Sequence, residues 1–365
     1  MNSDVSKRKI KSLDVMSNNK LNNDDEISFS ITPYIGYERE IKKILDENRD
    51  EEFTHEYLDW RYLGEESPIP PLIFWVYLSK GPCIGMSALI FRAYWKNNKK
   101  IYLAVSGDTS ISKDYRGKGI GKKLFKYITV FLEKNKNYGF GIGTPVVTSI
   151  LSSIGWKKVD KLYSYVYLID SSEKINEKIN HKSLSKVLGY FYSIFCKVKL
   201  SFFNTSAYQL KKVHNFDHDF EMFWENFDKT GIILRDRSLP ILEWRYLKHP
   251  RHTFTTLKFF KHNTFIGFLI YRTDDNYNIT IYDVLVNRDE SAMVLSLFIK
   301  YFFKKKKSHK LEMILINETH FLSGMLQKVG FFMRTEDIFL QMLTPDGLKE
   351  IYSSSILVTQ GDKDI

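Results

Sequence analysis

The sequence predicts an α/β (α+β) protein built from two tandem domains. Three observations lead to this prediction. Candidate strands and helices alternate along the chain, a second block repeats the order of the first, and a glycine-rich turn joins a strand to a helix in the first block. A chain of 365 residues is long enough for two domains of ordinary size, each with its own core.

The first block spans residues 28–170 and follows a polar, aperiodic segment, residues 1–27, that we predict to be a flexible tail. Alternating or β-branched apolar stretches predict strands, and apolar residues at helical spacing predict helices. The predicted order is a strand in 27–35, helices in 37–49 and 51–63, strands in 71–80, 83–95 and 101–112, a helix in 124–137, a strand in 138–145, a short helix, and a closing strand in 157–170.

A helical linker is predicted for residues 171–207, where the composition changes. Residues 171–203 contain six lysines and two glutamates, and residues 184–203 are apolar or aromatic on nearly all sides of a helix. We expect residues 184–203 to fill the seam between the two domains. The alternative is peripheral membrane contact, because a basic, aromatic-rich helix can lie on an anionic lipid surface.

Residues 208–346 repeat the order of the first block, and residues 347–365 are predicted to form a C-terminal tail. Asp108 and Gly155 are separated by the same number of residues as Asp283 and Gly330. Four matches in the same order predict an internal duplication. The matching segments are Trp60-Arg61-Tyr62 with Trp244-Arg245-Tyr246, Ile84-Gly85 with Ile266-Gly267, Asp108 with Asp283, and Ile154-Gly155-Trp156 with Val329-Gly330-Phe331.

The composition is that of a globular protein with an excess of basic residues. The formal charge of +11 favours an anionic partner, such as a nucleotide-like cofactor, an acidic lipid surface or nucleic acid. The two cysteines, Cys83 and Cys196, are too few for a disulfide framework or a cysteine zinc site. We expect a cytoplasmic protein, because the N-terminal segment lacks the apolar core of a secretory signal and no apolar run is long enough to span a bilayer.

The glycine-rich turn Arg116-Gly117-Lys118-Gly119-Ile120-Gly121 has the features of a phosphate-binding loop. It follows a strand that ends at Ile111 and leads directly into a helix. Glycines let the backbone approach a ligand closely, and the first N–H groups and the dipole of a helix favour an anion. Positive side chains around the phosphates would come from Arg116, Lys118, Lys122 and Lys123.

Three other interpretations of this turn are less specific. A dinucleotide-binding fingerprint needs a βαβ unit and another glycine spacing, whereas three antiparallel strands are predicted before this turn. A P-loop needs Ser or Thr after Gly-Lys, and Lys123 stands there instead. An ordinary tight turn with a solvated basic rim is the purely structural alternative.

The turn resembles the signature R/Q-x-x-G-x-G/A of the GNAT superfamily of acyl-CoA N-acyltransferases. Arg116, Gly119 and Gly121 match its fixed positions, and Ile154-Gly155-Trp156 is similar to that family's Leu-Gly-Phe/Trp. The second block is similar to the same fold, but residues 286–292 contain no glycine and two acidic residues, so we expect no cofactor there. The resemblance implies two tandem GNAT-like domains, each a mixed, mostly antiparallel sheet flanked by helices.

This resemblance implies transfer of an acetyl or other short acyl group from acyl-CoA to a small-molecule amine, with acetyl-CoA as co-substrate and no metal. In that family the amine attacks the thioester directly, and the strand before the turn polarises the thioester carbonyl. An amino sugar or another cell-surface precursor is the leading acceptor class, and no DNA partner is expected. The residues implied to bind the cofactor are Thr109, Ser110, Ile111, Arg116, Gly117, Lys118, Gly119, Ile120, Gly121 and Lys122.

Catalytic and substrate-binding candidates follow from the same resemblance. Asp108 is the candidate base because it lies on the strand just before the turn; a structural hydrogen bond to a neighbouring loop is the alternative. Trp60 and Tyr62 are candidate substrate contacts, with a role in the core as the alternative. Histidines at positions 249, 252 and 262 lack metal-ligand spacing, and we assign them to loops.

Two other functions stay open. The family often places an Asn after its fifth strand and a Tyr four residues before the closing glycine, whereas this sequence has Thr144-Pro145-Val146-Val147 and Leu151. These differences favour a non-catalytic acyl-CoA-binding module. A tRNA-dependent aminoacyl transferase of the doubled GNAT fold suits the basic charge, but the intact phosphate turn argues against it.

Overall fold

The three-dimensional structure is a computed structural model that describes residues 27–79, 81–305, 310–316, 321–349, 351 and 355–363. The predicted flexible tail therefore lies outside the described residues, except for Ile27, which begins the first strand. Among the described residues, 14 strands form one continuous mixed sheet against which the helices pack.

The first half of the chain follows the predicted order of elements. Its strands are β1 (Ile27–Pro33), β2 (Leu72–Leu78), β3 (Cys83–Lys96), β4 (Lys99–Ile111), β5 (Gly139–Gly143) and β6 (Lys157–Leu168). Its helices are α1 (Glu38–Asn48), α2 (His55–Leu63), α3 (Ile120–Lys134) and α4 (Pro145–Ser152). Apolar side chains recur along α3 at helical spacing, and Leu124 and Ile128 therefore pack in one core with Phe74 and Ala104 of the sheet.

Two helices, α5 (Ser172–Ile179) and α6 (Lys182–Ser201), lead to the second half. Its strands are β7 (Tyr208–Val213), β8 (Ile232–Arg235), β9 (Thr255–Lys261), β10 (Thr264–Thr273), β11 (Ile279–Val286), β12 (Lys310–Ile316), β13 (Phe332–Leu343) and β14 (Ser355–Thr359). Its helices are α7 (His218–Asn226), α8 (Leu239–Leu242), α9 (Ser291–Lys305), α10 (Phe321–Val329) and α11 (Gln360–Lys363). A π-helical turn, Glu243–Leu247, extends α8.

The internal duplication is visible in the strand register. Gly85 lies opposite Ile111 in the β3–β4 pair, and Gly267 lies opposite Val286 in the β10–β11 pair. A Cβ atom on Gly85 or Gly267 would lie 2.7 or 2.5 Å from a carbonyl oxygen of the facing strand. The same close approach of two strands therefore requires glycine in both halves.

The two halves exchange their closing strands. β6 of the first half pairs with β12 of the second, and β13 of the second half pairs with β5 of the first. β6 and β13 also pair with each other, antiparallel, between these neighbours. The predicted closing strand of the first block is thus present, but each half completes the sheet of the other. Separating the halves would expose unpaired strand edges.

The seam between the halves is built around Trp60 and Trp244. The indole N–H of Trp60 donates to the carbonyl of Trp244 at 2.7 Å, and the indole N–H of Trp244 donates to the carbonyl of Trp60 at 2.8 Å. The two buried rings lie 5.4 Å apart. Gly64 permits this approach, because a Cβ there would lie 1.7 Å from the indole nitrogen of Trp244.

The expectation that residues 184–203 fill this seam is wrong. α6 packs against α5 and α9, and most of its large apolar side chains, among them Phe191 and Phe195, are exposed. The tryptophan pair and the β6–β13 pair occupy the seam instead. The sequence predicts a helix here correctly, but it does not identify the surface that would cover its apolar side chains.

Residues 347–365, predicted as a C-terminal tail, include ordered structure. β14 pairs with β12 and β8, and α11 carries the buried Asp362. The Asp362 carboxylate accepts hydrogen bonds from Arg237 and Arg245, both at 2.9 Å. Ion pairs between buried groups therefore hold this segment in the second half.

Candidate active site

β4 and β5 pair over only a short stretch in the first half, and we call the space beyond this stretch the cleft. They pair in parallel at Ala104 and Val105 of β4, and their pairing ends there although β4 continues to Ile111. On its other side β4 stays paired with β3 to its end, with a bulge that includes Asp108. The edge of β4 that faces the cleft therefore has no strand partner along its last residues.

The glycine-rich turn follows β4 through a short 3-10 turn, Lys113–Tyr115, and begins α3. Gly117 and Gly119 adopt φ values of +78° and +75°, which glycine tolerates without strain. The N–H of Lys123 donates to the carbonyl of Gly119 at 3.1 Å, so the N–H groups of residues 120–122 precede the first hydrogen bond of the helix. With no acidic residue in its first turn, α3 presents N–H donors and the positive end of its dipole.

Open space lies in front of these glycines. A Cβ atom added to Gly117, Gly119 or Gly121 would meet no protein atom within 4 Å. Gly121 is already part of α3, where glycine costs about 0.5–1 kcal/mol relative to alanine. Packing within the fold does not explain glycine at this position, whereas a ligand lying against the helix N-terminus would.

The predicted phosphate-binding cations have two different roles. Arg116 positions the turn, because its Nε donates to the carbonyl of Ile111 at 2.9 Å and its guanidinium also contacts Asn48 at 3.2 Å. Lys118 and Lys122 are exposed, and the Lys118 ammonium lies 5.0 Å from the ring centre of Tyr115. Lys118 and Lys122 are therefore the cations available to an anionic ligand.

The three residues predicted on β4 lie at the cleft edge, but their side chains serve the fold. The Thr109 hydroxyl lies 2.8 Å from the Ser87 hydroxyl, and Ser110 is buried. Ile111 is half-buried and packs against the core beneath α3. The main chain of the β4 edge is therefore what this strand presents to the cleft.

The corresponding cleft of the second half is filled by the protein itself. β11 and β12 pair in parallel over three residues, and β14 then pairs with the end of β12. A Cβ on Gly361 would lie 2.3 Å from the Tyr246 hydroxyl, so α11 packs tightly there. Before α9, the carboxylate of Glu290 accepts a hydrogen bond from Lys261 at 2.8 Å. An acidic side chain and the C-terminal segment thus stand where the first half has glycines and open space.

Asp108, the predicted base, is held in a hydrogen-bonded cluster. Its carboxylate accepts from Arg61 Nε at 2.7 Å and from the Tyr62 hydroxyl at 2.8 Å. Burial by itself raises the pKa of Asp108, but the Arg61 charge and these hydrogen bonds hold the pKa below its usual value. The Asp108 backbone has φ +51° at the bulge, and these contacts hold it there. The pairing favours the structural interpretation of Asp108 over the catalytic one.

The second half has a similar cluster at its closed cleft, but its arginine does not come from the Trp-Arg-Tyr motif. Asp283 accepts from the Tyr246 hydroxyl at 2.8 Å and from Arg237 at 2.9 Å. The predicted substrate contacts of Trp60 and Tyr62 are not supported, because Trp60 is buried in the seam and Tyr62 is only 1% exposed. Both belong to the core, as their equivalents in the second half do.

A cavity of about 340 Å³ lies between the halves beside the β4 bulge. Arg49 stands where this cavity meets the end of β4, since its guanidinium lies 3.3 Å from the Thr109 carbonyl and 3.4 Å from the Ser110 hydroxyl. The polar side chains lining the cavity include Arg49, Arg61, Asp108, His249, Arg251 and His252. Among the described residues, no group of three or more His, Cys, Asp or Glu is placed to hold a metal ion.

His249 and His252 are functional candidates that the sequence places in loops without a role. His249 Nδ1 accepts from the backbone N–H groups of Arg251 and His252, at 3.1 and 3.2 Å. Burial, followed by the neighbouring His252 and Arg251, lowers the pKa of His249 to about 4, so its ring is neutral at pH 7 with the proton on Nε2.

His252 shows the same pattern. Its Nε2 lies 3.4 Å from the Arg272 guanidinium, and burial and Arg272 lower its pKa. With Nε2 as the acceptor, the ring proton is on Nδ1. Docking of the two halves places these rings in the same cavity as Asp108, and no motif in the sequence indicates this arrangement.

Comparison with known proteins supports the fold assignment. No protein-family model matches the sequence, and the search of curated proteins finds no match. Among solved structures, a probable N-acyltransferase from Enterococcus faecalis V583 matches with a TM-score of 0.62 at 12% identity, over 87% of this chain and 72% of that chain. A GCN5-related N-acetyltransferase from Anabaena variabilis matches with a TM-score of 0.59 at 12% identity, over 87% and 73%. A tandem GNAT protein from the clavulanic acid biosynthesis pathway matches with a TM-score of 0.52 at 11% identity, over 89% and 100%.

The chain has the tandem GNAT fold. The predicted fold class is thereby confirmed, since the match to a tandem protein covers both halves. Within this tandem GNAT fold, the first half carries the cleft between β4 and β5, and the second half fills the matching cleft with β14 and α11. The exchange of β6 and β13 fixes the cavity between the halves next to the end of β4.

Proposed function

We propose that this protein is an N-acyltransferase that transfers an acetyl or other short acyl group from acyl-CoA to an amine. The observation that carries this proposal is the N-terminus of α3. The N–H groups of residues 120–122 precede the first helical hydrogen bond, and Gly117, Gly119 and Gly121 leave open space before them. Such a helix end suits the diphosphate of coenzyme A.

The end of β4 meets a second requirement of this reaction, a place for the thioester. Its edge beyond Val105 has no partner in β5, so main-chain groups there can hydrogen-bond the acyl carbonyl. The amine nitrogen attacks the carbonyl carbon, a C–N bond forms, and the C–S bond breaks. The amine gives up a proton to solvent and the departing thiolate takes one up, so the products are an amide and coenzyme A. Asp108 supports the bulge in this scheme and is not the base.

The cavity between the halves is our proposed acceptor site. Its lining is rich in hydrogen-bond donors, namely three guanidinium groups and two neutral histidine rings. Arg61 pairs with Asp108 at 2.7 Å and Arg251 with Glu51 at 2.9 Å, whereas the hydrogen bonds described for Arg49 go to uncharged oxygens. An amine that also carries a carboxylate or phosphate would pair with Arg49. Amino sugars bearing such a group fit this description.

Titration of acetyl-CoA into the wild type, Gly121→Leu and Gly324→Leu tests the cofactor site. Both glycines lie in helices with open space at Cβ, so both changes raise helix propensity. The leucine side chain at position 121 would occupy the space where the diphosphate would lie, and we expect affinity to fall by about tenfold or more, or ~1.4 kcal/mol. The Gly324→Leu variant, in the second half, should bind as the wild type does.

Release of coenzyme A in the presence of an amine panel tests the transfer itself. The panel should contain matched amines with and without a carboxylate or phosphate. Acceptor-dependent release supports the proposal. Acetyl-CoA binding without release above background would indicate a binding module, and salt-sensitive tRNA binding without acetyl-CoA binding would indicate an aminoacyl transferase. Equal acetyl-CoA affinity in the wild type and Gly121→Leu would contradict the proposed site.

A further inference from the structure

One helix between the two halves carries an apolar surface that the fold leaves uncovered. α6 has 20 residues and is therefore about 30 Å long. The exposed fractions of Phe191, Phe195 and Phe202 are 62%, 65% and 82%. Exposed apolar residues recur at spacings of three and four, which places them on one side of the helix. The apolar face of α6 consists of Leu184, Val187, Leu188, Phe191, Ile194, Phe195 and Val198, together with Phe202, which directly follows the helix.

The opposite side of α6 is fixed to the protein. Ser185, Gly189, Cys196 and Leu200 are buried, and at 100° per residue they lie across the helix from the apolar face. A Cβ on Gly189 would lie 3.0 Å from the Cβ of Ser172, so α5 approaches α6 closely. The helix therefore cannot bury its apolar face by rotating without losing these contacts.

The charge around the apolar face is positive. α6 contains four lysines and no acidic residue. Its Lys197 ammonium lies 5.7 Å from the ring centre of Phe303 on α9, whose exposed last turn adds Lys304 and Lys305. Uncovered apolar side chains and lysines from two helices thus share one side of the molecule.

We propose that the apolar face of α6 docks the protein on a membrane surface that contains anionic lipids. Helices that lie in the bilayer interface place apolar side chains among the acyl chains and lysines near the lipid phosphates. In the part of the chain that the structure describes, no helix is long and apolar enough to cross a bilayer. A second copy fits less well, because its α6 would bring further lysines and no carboxylate to pair with them.

Vesicle co-sedimentation tests this proposal with the full-length protein. Phosphatidylcholine vesicles with and without about one third phosphatidylglycerol would be compared, for the wild type and a Phe191→Asp/Phe195→Asp variant. We expect the wild type to bind the anionic vesicles more tightly. The double variant should bind them at least about tenfold more weakly, because two rings leave the interface and two negative charges approach it.

Three further measurements make the outcome decisive. Tyr277→Asp changes an exposed aromatic residue in the β10–β11 turn and should leave vesicle binding unchanged. Lys186→Gln/Lys197→Gln should weaken binding to anionic vesicles and reduce its salt dependence, while thermal melting shows that each variant is folded. No vesicle binding by the wild type, or equal binding by the folded Phe191→Asp/Phe195→Asp variant, would overturn the proposal. The proposal would also be overturned if the wild type formed a dimer in sedimentation equilibrium, the Phe191→Asp/Phe195→Asp variant lost that dimer, and neither protein bound vesicles.

Discussion

Trp60 and Trp244 each donate their indole N–H to the other's main-chain carbonyl, at 2.7 and 2.8 Å. A twofold relation between duplicated halves produces this reciprocity, because the same residue of each motif makes the same contact. The motif's tyrosine behaves alike in both halves, where Tyr62 donates to Asp108 and Tyr246 to Asp283. The repeated Trp-Arg-Tyr motif therefore joins the halves and fixes an aspartate beside each cleft.

Loss of either indole donor should destabilise the whole chain. Trp60→Phe leaves the buried carbonyl of Trp244 without its donor, and we expect a loss of about 1–3 kcal/mol in the free energy of unfolding. Denaturant unfolding of Trp60→Phe, Trp244→Phe and the double variant measures this and the coupling between the two residues. Trp95→Phe is the control, because its indole N–H has no hydrogen-bond partner among the described residues. Equal losses in all three single variants would mean that the reciprocal bonds contribute nothing.

The ion pair of Asp108 should make stability depend on pH. The folded state lowers the pKa of Asp108. The contribution of the ion pair to the free energy of unfolding is therefore complete at neutral pH. It is lost as the pH falls from about 4, the pKa of an Asp in an unfolded chain, through the lower pKa of the folded state. Asp108→Asn should cost about 1–3 kcal/mol at pH 7, and the difference from the wild type should shrink below about pH 4. Urea midpoints across this range provide the measurement. Asp275→Asn, at an exposed turn position, should follow the wild type at every pH.

Asp362 should be essential to the second half although it lies near the end of the chain. Asp362→Asn removes the charge that pairs with Arg237 and Arg245, both buried, and we expect a loss of about 3–5 kcal/mol in the free energy of unfolding. Thermal or chemical unfolding shows this directly. The exposed Asp346→Asn should change stability by less than about 0.5 kcal/mol. Similar stabilities of the two variants would contradict a structural role for the C-terminal segment.

Arg49 should affect acceptor binding more strongly than cofactor binding. For an acceptor that carries a carboxylate or phosphate, Arg49→Gln should raise KM by about tenfold or more, because one charge-assisted hydrogen bond is lost. Acetyl-CoA affinity by titration should change much less than this KM, since the diphosphate is proposed to bind at the glycine turn, whereas the described hydrogen bonds of Arg49 go to the end of β4. Arg39→Gln, on the exposed side of α1, serves as the control. An unchanged KM in Arg49→Gln would move the acceptor away from this cavity.

Much of the fold can be predicted from local sequence patterns. The glycine turn before α3, the order of the first-half elements and the duplication all depend on residue types at short, regular spacing. The glycines at 85 and 267 and the aspartates at 108 and 283 stand at equivalent places because equivalent strands approach each other in the same way. Such requirements act on individual positions, and they therefore appear in the sequence itself.

Tertiary structure alone decided the remaining features. Three features join residues far apart in sequence. They are the exchange of β6 and β13, the closure of the second cleft by residues 355–363, and the shared cavity lined by His249 and Asp108. The sequence of α6 is apolar or aromatic on nearly all sides, but it did not show which surface covers the helix, so the prediction of a buried seam helix was wrong. Apolar composition indicates that an element favours burial, whereas its packing partner depends on how all the elements pack together.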